Sequence, residues 1–176
     1  MTVPLDEMDV KILRLLQADA TMPVADIGKE VGLSTTPCWR RIQRLEQSGV
    51  IRRRVALLDA GMVNAAVTVF VSIKTDQHSL QWLDEFHAAA FDFPEVVEFY
   101  RMSGDVDYLL RVVVPDIAAY DAFYKKLIKR ISIAKVSSAF AMEQIKYTTE
   151  LPLSFVLASR VQEPAAGTGR ARKAKD

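Results

Sequence analysis

Between residues 34 and 54 the chain carries six arginines, Arg40, Arg41, Arg44, Arg52, Arg53 and Arg54, against one acidic residue, Glu46. Thr35, Thr36, Trp39 and Gln43 are interleaved with them. Guanidinium groups, hydroxyls and a carboxamide are the side chains that hydrogen-bond base edges and phosphate oxygens in a DNA groove. A solvated charged face would account for the arginines, but not for their agreement with the helical spacing, turn glycine and cap described below. A second constellation is Gly104-Asp105-Val106-Asp107-Tyr108. Two carboxylates can hold an α-ammonium group there, and a glycine admits close backbone approach, with nearby amides for an α-carboxylate. By composition alone the same residues also make an ordinary β-turn.

Cys38 lies beside Arg40 and Arg41 near a helix start, a setting that lowers a thiol pKa. Its place on the apolar face reads instead as a small core residue. His78 and His87 are nine positions apart and share no helix face, so both are expected to face solvent. No Cys/His/Asp spacing suits a metal, and there is no glycine-rich phosphate loop. The sequence therefore points to a binding protein without a metal, a cofactor or a catalytic set.

The elements that position these groups follow from periodicity. A first helix is expected over about Asp6–Ala18, with Asp6 as cap and Met8, Ile12, Leu15 and Leu16 inward. A short helix fits Val24–Val31 before Gly32, and Ser34 caps a third helix with Cys38, Ile42 and Leu45 inward. The opposite face of that helix then presents Thr35, Thr36, Trp39, Arg40, Gln43 and Arg44. Val50–Leu58 reads as a hairpin whose Arg52, Arg53 and Arg54 would reach flanking backbone, the plan of a winged helix-turn-helix.

From Val67 the pattern changes. Strands are expected at Val67–Thr75, Val96–Met102, Tyr108–Val114 and Val136–Tyr147. A helix after Ser79 turns Leu80, Leu83, Phe86 and Ala90 inward. One opening at Pro115-Asp116 turns in Ile117, Tyr120, Phe123 or Tyr124, Leu127 and Ile131. The fold class is α+β: a winged helix-turn-helix at 1–58, a linker at 59–66, a βαββαβ ferredoxin-like (ACT-like) domain at 67–152, and an extension at 153–176. That extension becomes a disordered basic tail after about Arg160. Phe70, Phe99, Tyr100, Leu110, Val112 and Phe140 exceed what two helices can cover, so a second sheet should pack on the first and make a homodimer.

The stretch Leu5-Asp6, Asp9, Ile12-Leu13, Ala25-Asp26-Ile27, Val31-Gly32-Leu33-Ser34, Arg40-Arg41-Ile42, Leu45 and Gly49-Val50-Ile51 resembles the Lrp/AsnC (leucine-responsive/asparagine-regulator) family of prokaryotic transcription factors. The resemblance continues through Gly104–Tyr108 and Met142–Leu153. It departs at Cys38, where valine is more usual, and at Trp39, bulkier than the usual residue. It implies a C-terminal domain that dimerises sheet to sheet, with dimers assembling further, often to octamers. It also implies an amino-acid effector at the turn, held by Gly104, Asp105, Asp107 and Tyr108, with Ser137, Ser138 and Phe140 as partners from the last strand. Tyr100 and Met102, on the strand entering the turn, would shape the pocket. Thr35–Trp39 and Ser138–Thr149 are most similar to a branch that responds to cysteine.

The chain's overall charge conceals this arrangement. In 176 residues, 23 Lys+Arg stand against 22 Asp+Glu, a net +1 that at face value argues against a nucleic-acid partner. By region, 1–58 holds nine basic and seven acidic residues, 55–159 nine and thirteen, and 160–176 five and two. A composition that is half apolar excludes disorder over most of the chain. A single cysteine forbids an intrachain disulfide and suits a reducing cytoplasm. No apolar run approaches the roughly 18 residues of a membrane span, and no signal peptide is visible. The expectation is a cytoplasmic regulator that reads double-stranded DNA and responds to a small amino acid, with cysteine as the candidate that the resemblance suggests. An architectural protein that wraps DNA with little sequence preference is the alternative, and an amino-acid-metabolising enzyme with a basic arm is a third reading. The residues do not distinguish activator from repressor.

Overall fold

The computed structural model describes residues 3–77 and 79–156. His78 and the expected basic tail lie outside those residues. Contacts divide the chain into two compact units, Met1–Val55 with the segment from Tyr147 onward, and Ala56–Lys146.

Three helices build the first unit: α1 (Glu7–Ala18), α2 (Val24–Val31) and α3 (Thr35–Gln47). α1 starts in a capping box: Asp9 N donates to Asp6 Oδ1 at 2.8 Å and Asp6 N to Asp9 Oδ2 at 3.0 Å. Two amides at the helix end, which have no intrahelical acceptor, are thereby satisfied. Gly32, at φ +74°, ends α2 in the left-handed region. Ser34 occupies the cap position of α3 in extended backbone, but its hydroxyl bonds none of the α3 amides, contrary to expectation. Cys38, Ile42 and Leu45 are buried with Ile12, Leu13, Ile27 and Val31, as the helical spacing requires. α2 and α3 approach at Gly28, where a Cβ would stand 2.7 Å from the Leu33 carbonyl oxygen. Leu153 packs on the same cluster. Its neighbour Leu151 is tied to α1 by reciprocal bonds: Leu151 N donates to Gln17 Oε1 at 2.8 Å, and Gln17 Nε2 to Leu151 O at 3.2 Å.

The expected hairpin over Val50–Leu58 is not formed. Val50 and Ile51 pack beneath the helices, with Ile51 N donating to Leu45 O at 3.0 Å, and the chain runs on without strand pairing to Val67. Val50–Leu58 contains no Gly, Asn, Asp or Pro to make a tight turn, and an isolated two-stranded ribbon is marginal in any case.

The second unit is β1 (Val67–Lys74), α4 (Leu80–Asp92), β2 (Val96–Arg101), β3 (Tyr108–Val114), α5 (Ile117–Arg130) and β4 (Lys135–Phe140). The strands form one antiparallel sheet in the order β2-β3-β1-β4. Val69, Val71 and Ile73 of β1, with Tyr108, Leu110, Val112 and Val114 of β3, are buried on one face with Trp82 and Phe86 of α4 and Phe123 and Leu127 of α5. Full burial of each such side chain contributes about 1.5–3 kcal/mol.

α5 buries Tyr120, Phe123, Leu127 and Ile131 as expected, whereas α4 is turned from its expected face. Leu80 and Ile117 are exposed, while Trp82 turns in and donates from Nε1 to Ser132 O at 2.9 Å. That acceptor lets an indole occupy the core without losing its hydrogen bond. His87 is half-buried, its ring edge-on to Phe99 at 5.3 Å, rather than solvent-facing.

β4 ends at Phe140 rather than Tyr147. Phe140 pairs with Val69, and after one further bond from Ala141 N to Thr68 O the partner strand has run out. Four of the six residues expected to be uncovered also lie on the helix side. Leu110 and Val112 are fully buried, Phe99 meets Phe86, and Phe140 meets Tyr120 edge-on at 5.1 Å. The register leaves Phe70 and Ser72, Tyr100, Leu109, Arg111 and Val113, and Ser137 and Ala139 on the other face.

Candidate functional site

The fold makes two separate surfaces from the predicted residues. On α3, burial of Cys38, Ile42 and Leu45 turns Thr35, Thr36, Trp39, Arg40 and Arg44 outward, with Gln43 half-buried and donating to Glu46 at 3.2 Å. Trp39 is 50% exposed, a large ring left in water on an otherwise polar face. Burial pushes the Cys38 thiol pKa up, so this sulfur is the core residue and not a reactive one.

The arginines of this region differ in their partners. Arg41 donates from Nη1 to Asp6 at 2.6 Å and to Asp9 at 2.8 Å. Arg44 ion-pairs with Asp9 through Nη2, and Arg54 pairs with Glu46 at 3.1 Å and donates to Ala20 O. Among the described residues, Arg40, Arg52 and Arg53 have no carboxylate partner. Asp9 is wholly buried, and three donors converge on it: Arg41, Arg44 and the Asp6 amide. Burial raises the Asp6 carboxyl, but the Asp9 amide and the Arg41 guanidinium outweigh it and hold the group below its ordinary value. Asp6 and Asp9, three apart on α1, thus face Arg41 and Arg44, three apart on α3. The sequence carries both spacings, but their meeting needs the crossing of two helices that no local pattern gives.

The second surface is the β2–β3 turn. Met102 N donates to Asp107 O at 2.8 Å, Asp107 N to Ile73 O at 3.0 Å, and Thr75 N to Asp107 Oδ2 at 2.8 Å. Asp107 therefore anchors the turn to β1 with one carboxylate oxygen. Gly104 stands at φ +109° with nothing within 4 Å of where a Cβ would be, and Asp105 is exposed beside it. Met102 and Tyr100 are exposed, the Tyr100 hydroxyl donating to Glu98 at 2.9 Å.

Three of the predicted residues face elsewhere. Tyr108 is a core residue, its ring 5.0 Å from Phe86 and 6.0 Å from Trp82. Ser138 hydrogen-bonds the Tyr120 hydroxyl on the helix side, and Phe140 packs there too. Ser137, opposite Ser72, is on the open face. None of the nine effector candidates lines the unit's cavity of about 420 Å³, which lies over the open face between Thr68, Phe70, Arg111 and the 141–146 segment.

Both units have counterparts in known proteins. Residues 5–46 match the AsnC-type helix-turn-helix domain, and residues 68–151 match the Lrp/AsnC ligand binding domain. The chain is 50% identical over 149 residues to the glutamate uptake regulatory protein of Zymomonas mobilis, covering 85% of this chain and 91% of that one. It is 47% identical over 150 residues to the DNA-binding transcriptional activator DecR of Escherichia coli, covering 85% and 99%. The crystal structure of an AsnC family transcriptional regulator from Agrobacterium tumefaciens superposes with a TM-score of 0.84 at 72% identity, covering 86% of this chain and 99% of that one. A transcriptional regulator of Neisseria meningitidis, solved with L-Met, superposes with a TM-score of 0.82 at 31% identity over 86% and 99%. With an AsnC-type helix-turn-helix domain followed by an Lrp/AsnC ligand binding domain, and relatives of that kind along most of its length, this chain belongs to the Lrp/AsnC family of DNA-binding transcription regulators.

Proposed function

We propose that α3 lies in the major groove of double-stranded DNA, with Thr35, Thr36, Trp39, Arg40 and Gln43 against base edges and phosphates, and that Arg52 and Arg53 reach the flanking backbone. The observation that carries this is the exposed polar face of α3, with Arg40 free of any carboxylate among the described residues. Arg44 and Arg54, expected in the same set, are held by Asp9 and Glu46. Replacing Arg40 by Gln in the full-length protein should weaken binding to the DNA upstream of its own gene. It should also flatten the salt dependence by about 0.9 decade per decade of salt for each phosphate no longer neutralised. An unchanged line would refute the assignment. Loss of the distinction between that DNA and a scrambled duplex in the wild type would favour the architectural reading instead.

A small amino acid fits best at the β2–β3 turn, with Asp105 and the remaining Asp107 oxygen for its ammonium group and the Gly104 backbone approachable from outside. Tyr100, Met102 and Ser137 flank it on the exposed side, while Tyr108, Ser138 and Phe140 support the strands from behind. Cysteine and methionine are the first candidates: the chain resembles a cysteine-responsive branch, and the Neisseria meningitidis relative binds L-Met. A thermal-shift screen of the twenty amino acids under reductant tests this. Asp105→Ala should abolish the shift, and its retention would place the effector elsewhere. Asp107→Ala is a poorer probe, because it also removes the Thr75 anchor.

The half-exposed Phe70, Tyr100 and Val113 on the open face support a sheet-to-sheet homodimer, and higher assembly up to an octamer follows the family pattern. Phe70→Glu should lower the mass seen by light scattering, and a monomeric wild type at micromolar concentration would remove the dimer. We place the protein in the cytoplasm with the DNA it reads, as a regulator without catalysis of its own.

A further inference from the structure

We propose that Asp9 is a positioning residue that withholds the Arg44 guanidinium from DNA phosphates, so that α3 meets DNA with less sequence-independent charge than its sequence carries. The inference rests on the placing of α3 in the groove above.

Three of the six arginines between residues 34 and 54 are bound to carboxylates, and the bonds are of two kinds. Arg54 and Glu46 are both substantially exposed, with side chains 42% and 34% accessible. Such a pair is weak, because water replaces either partner readily. Arg44 is also half exposed, at 49%, but its partner Asp9 is 0% exposed. Water has no access to that carboxylate while Arg44 covers it. Moving Arg44 to a phosphate would leave a buried anion with Arg41 as its one remaining cation, and Arg41 is shared with Asp6. A DNA phosphate must therefore compete with a carboxylate that would be left with Arg41 and one backbone amide, whereas Arg40, on the same exposed face, has no carboxylate to leave among the described residues.

Phosphate contacts add affinity for every sequence alike, and base contacts discriminate. An arginine kept off the phosphates therefore lowers the affinity for every sequence by the same factor and makes binding less dependent on salt. Asp9 acts through Arg44 and touches no DNA itself.

The test measures salt dependence with the full-length protein on two probes, the duplex upstream of its own gene and a scrambled duplex of equal length. Asp9→Asn removes the charge with little change of volume. It should steepen the log affinity against log salt line by about 0.9 per reading head on both probes, and leave the ratio of specific to non-specific affinity unchanged. Arg44→Gln should leave the wild-type slope unchanged, and should abolish the steepening when combined with D9N. A loss of slope in R44Q equal to that in R40Q shows Arg44 already on phosphate and overturns the proposal. So does a folded D9N with an unchanged slope. If D9N fails to fold, the comparison of R44Q with R40Q decides alone. An R40Q slope equal to the wild-type slope would count against the placing of α3, and the D9N slope would then decide for or against Asp9 independently.

Discussion

The helical unit draws its elements together around an aliphatic cluster with no buried aromatic among the described residues, and lays a charged network of Asp6, Asp9, Arg41 and Arg44 across α1 and α3. In the α+β unit Trp82, Phe86, Phe99 and Tyr108 interlock between a helix and one face of a sheet, and the ion pair of Glu98 with the half-buried Arg111 lies apart from that interlock. Each unit's cohesion shapes what it can offer. A small core with polar cross-links leaves one helix with a polar face exposed, so the surface proposed to read DNA is drawn from a single helix. A sheet with one face filled leaves its candidate residues spread over a turn, an open face and a covered face, and only part of them can meet one ligand within a chain.

The contrast breaks most severely if the aromatic interlock contributes little to the α+β unit. Phe86 is fully buried, and Phe86→Ala should destabilise that unit by about 3–5 kcal/mol. The two tryptophans allow this to be read by unit, because Trp82 lies in one and Trp39 in the other. In a Trp39→Phe background the Trp82 fluorescence midpoint in urea should fall accordingly, and a loss under about 1 kcal/mol would mean the interlock is dispensable.

The helical unit has its own tight point at Gly28. Gly28→Ala should cost about 1–3 kcal/mol, because the added Cβ meets a backbone oxygen that cannot swing aside. A Trp82→Phe background, which leaves Trp39 as reporter, should show the loss, and a neutral result would mean α2 and α3 can part freely.

Acid sharpens the contrast further. The Asp6 carboxyl titrates below its ordinary value of 3.8, so its contribution to stability is present above about pH 4 and is lost as pH falls through the lower folded value. Melting temperatures measured from about pH 6 to about pH 2 should show the helical unit weakening in that range, and Asp6→Asn should lack that part of the pH dependence. An identical profile in the variant would deny Asp6 a role.

The smallest effect is a chemical one. Buried, and with its pKa raised, Cys38 should react with a thiol reagent only as fast as the helical unit opens, and DNA affinity should not change under mild oxidant. Rapid labelling of the native protein would reverse that reading.

The reading helix was legible because its logic is local. Cys38, Ile42 and Leu45 set the buried stripe, and every other face of α3 follows from 3.6 residues per turn. The strand order was legible from element sequence. What escaped is the non-local part. Nothing in residues 136–147 themselves says that β1 begins at Val67 and leaves Met142 onward without a partner strand. Leu80 and Trp82 are equally apolar, and the choice between them was made by Ser132 O, fifty residues away. The Gly-Asp-Val-Asp-Tyr motif marked the turn correctly, yet its tyrosine serves the core and one of its aspartates anchors β1. The six arginines read as one charge; the crossing of α1 with α3 holds Arg41 and Arg44, and the passage of the chain back along Glu46 holds Arg54.

The bonds between Leu151 and Gln17 have a consequence for how this protein is taken apart. The chain leaves the helical unit after Val55, builds the whole of the α+β unit, and comes back at Tyr147 to finish the unit it began. In topological terms the ligand-binding unit is an insertion, and the DNA-reading unit is encoded in two pieces. A fragment stopped at residue 58 would strip Leu153 from the helical core and leave the Gln17 carboxamide without its backbone partners. The piece that can be excised by two cuts is the inner one.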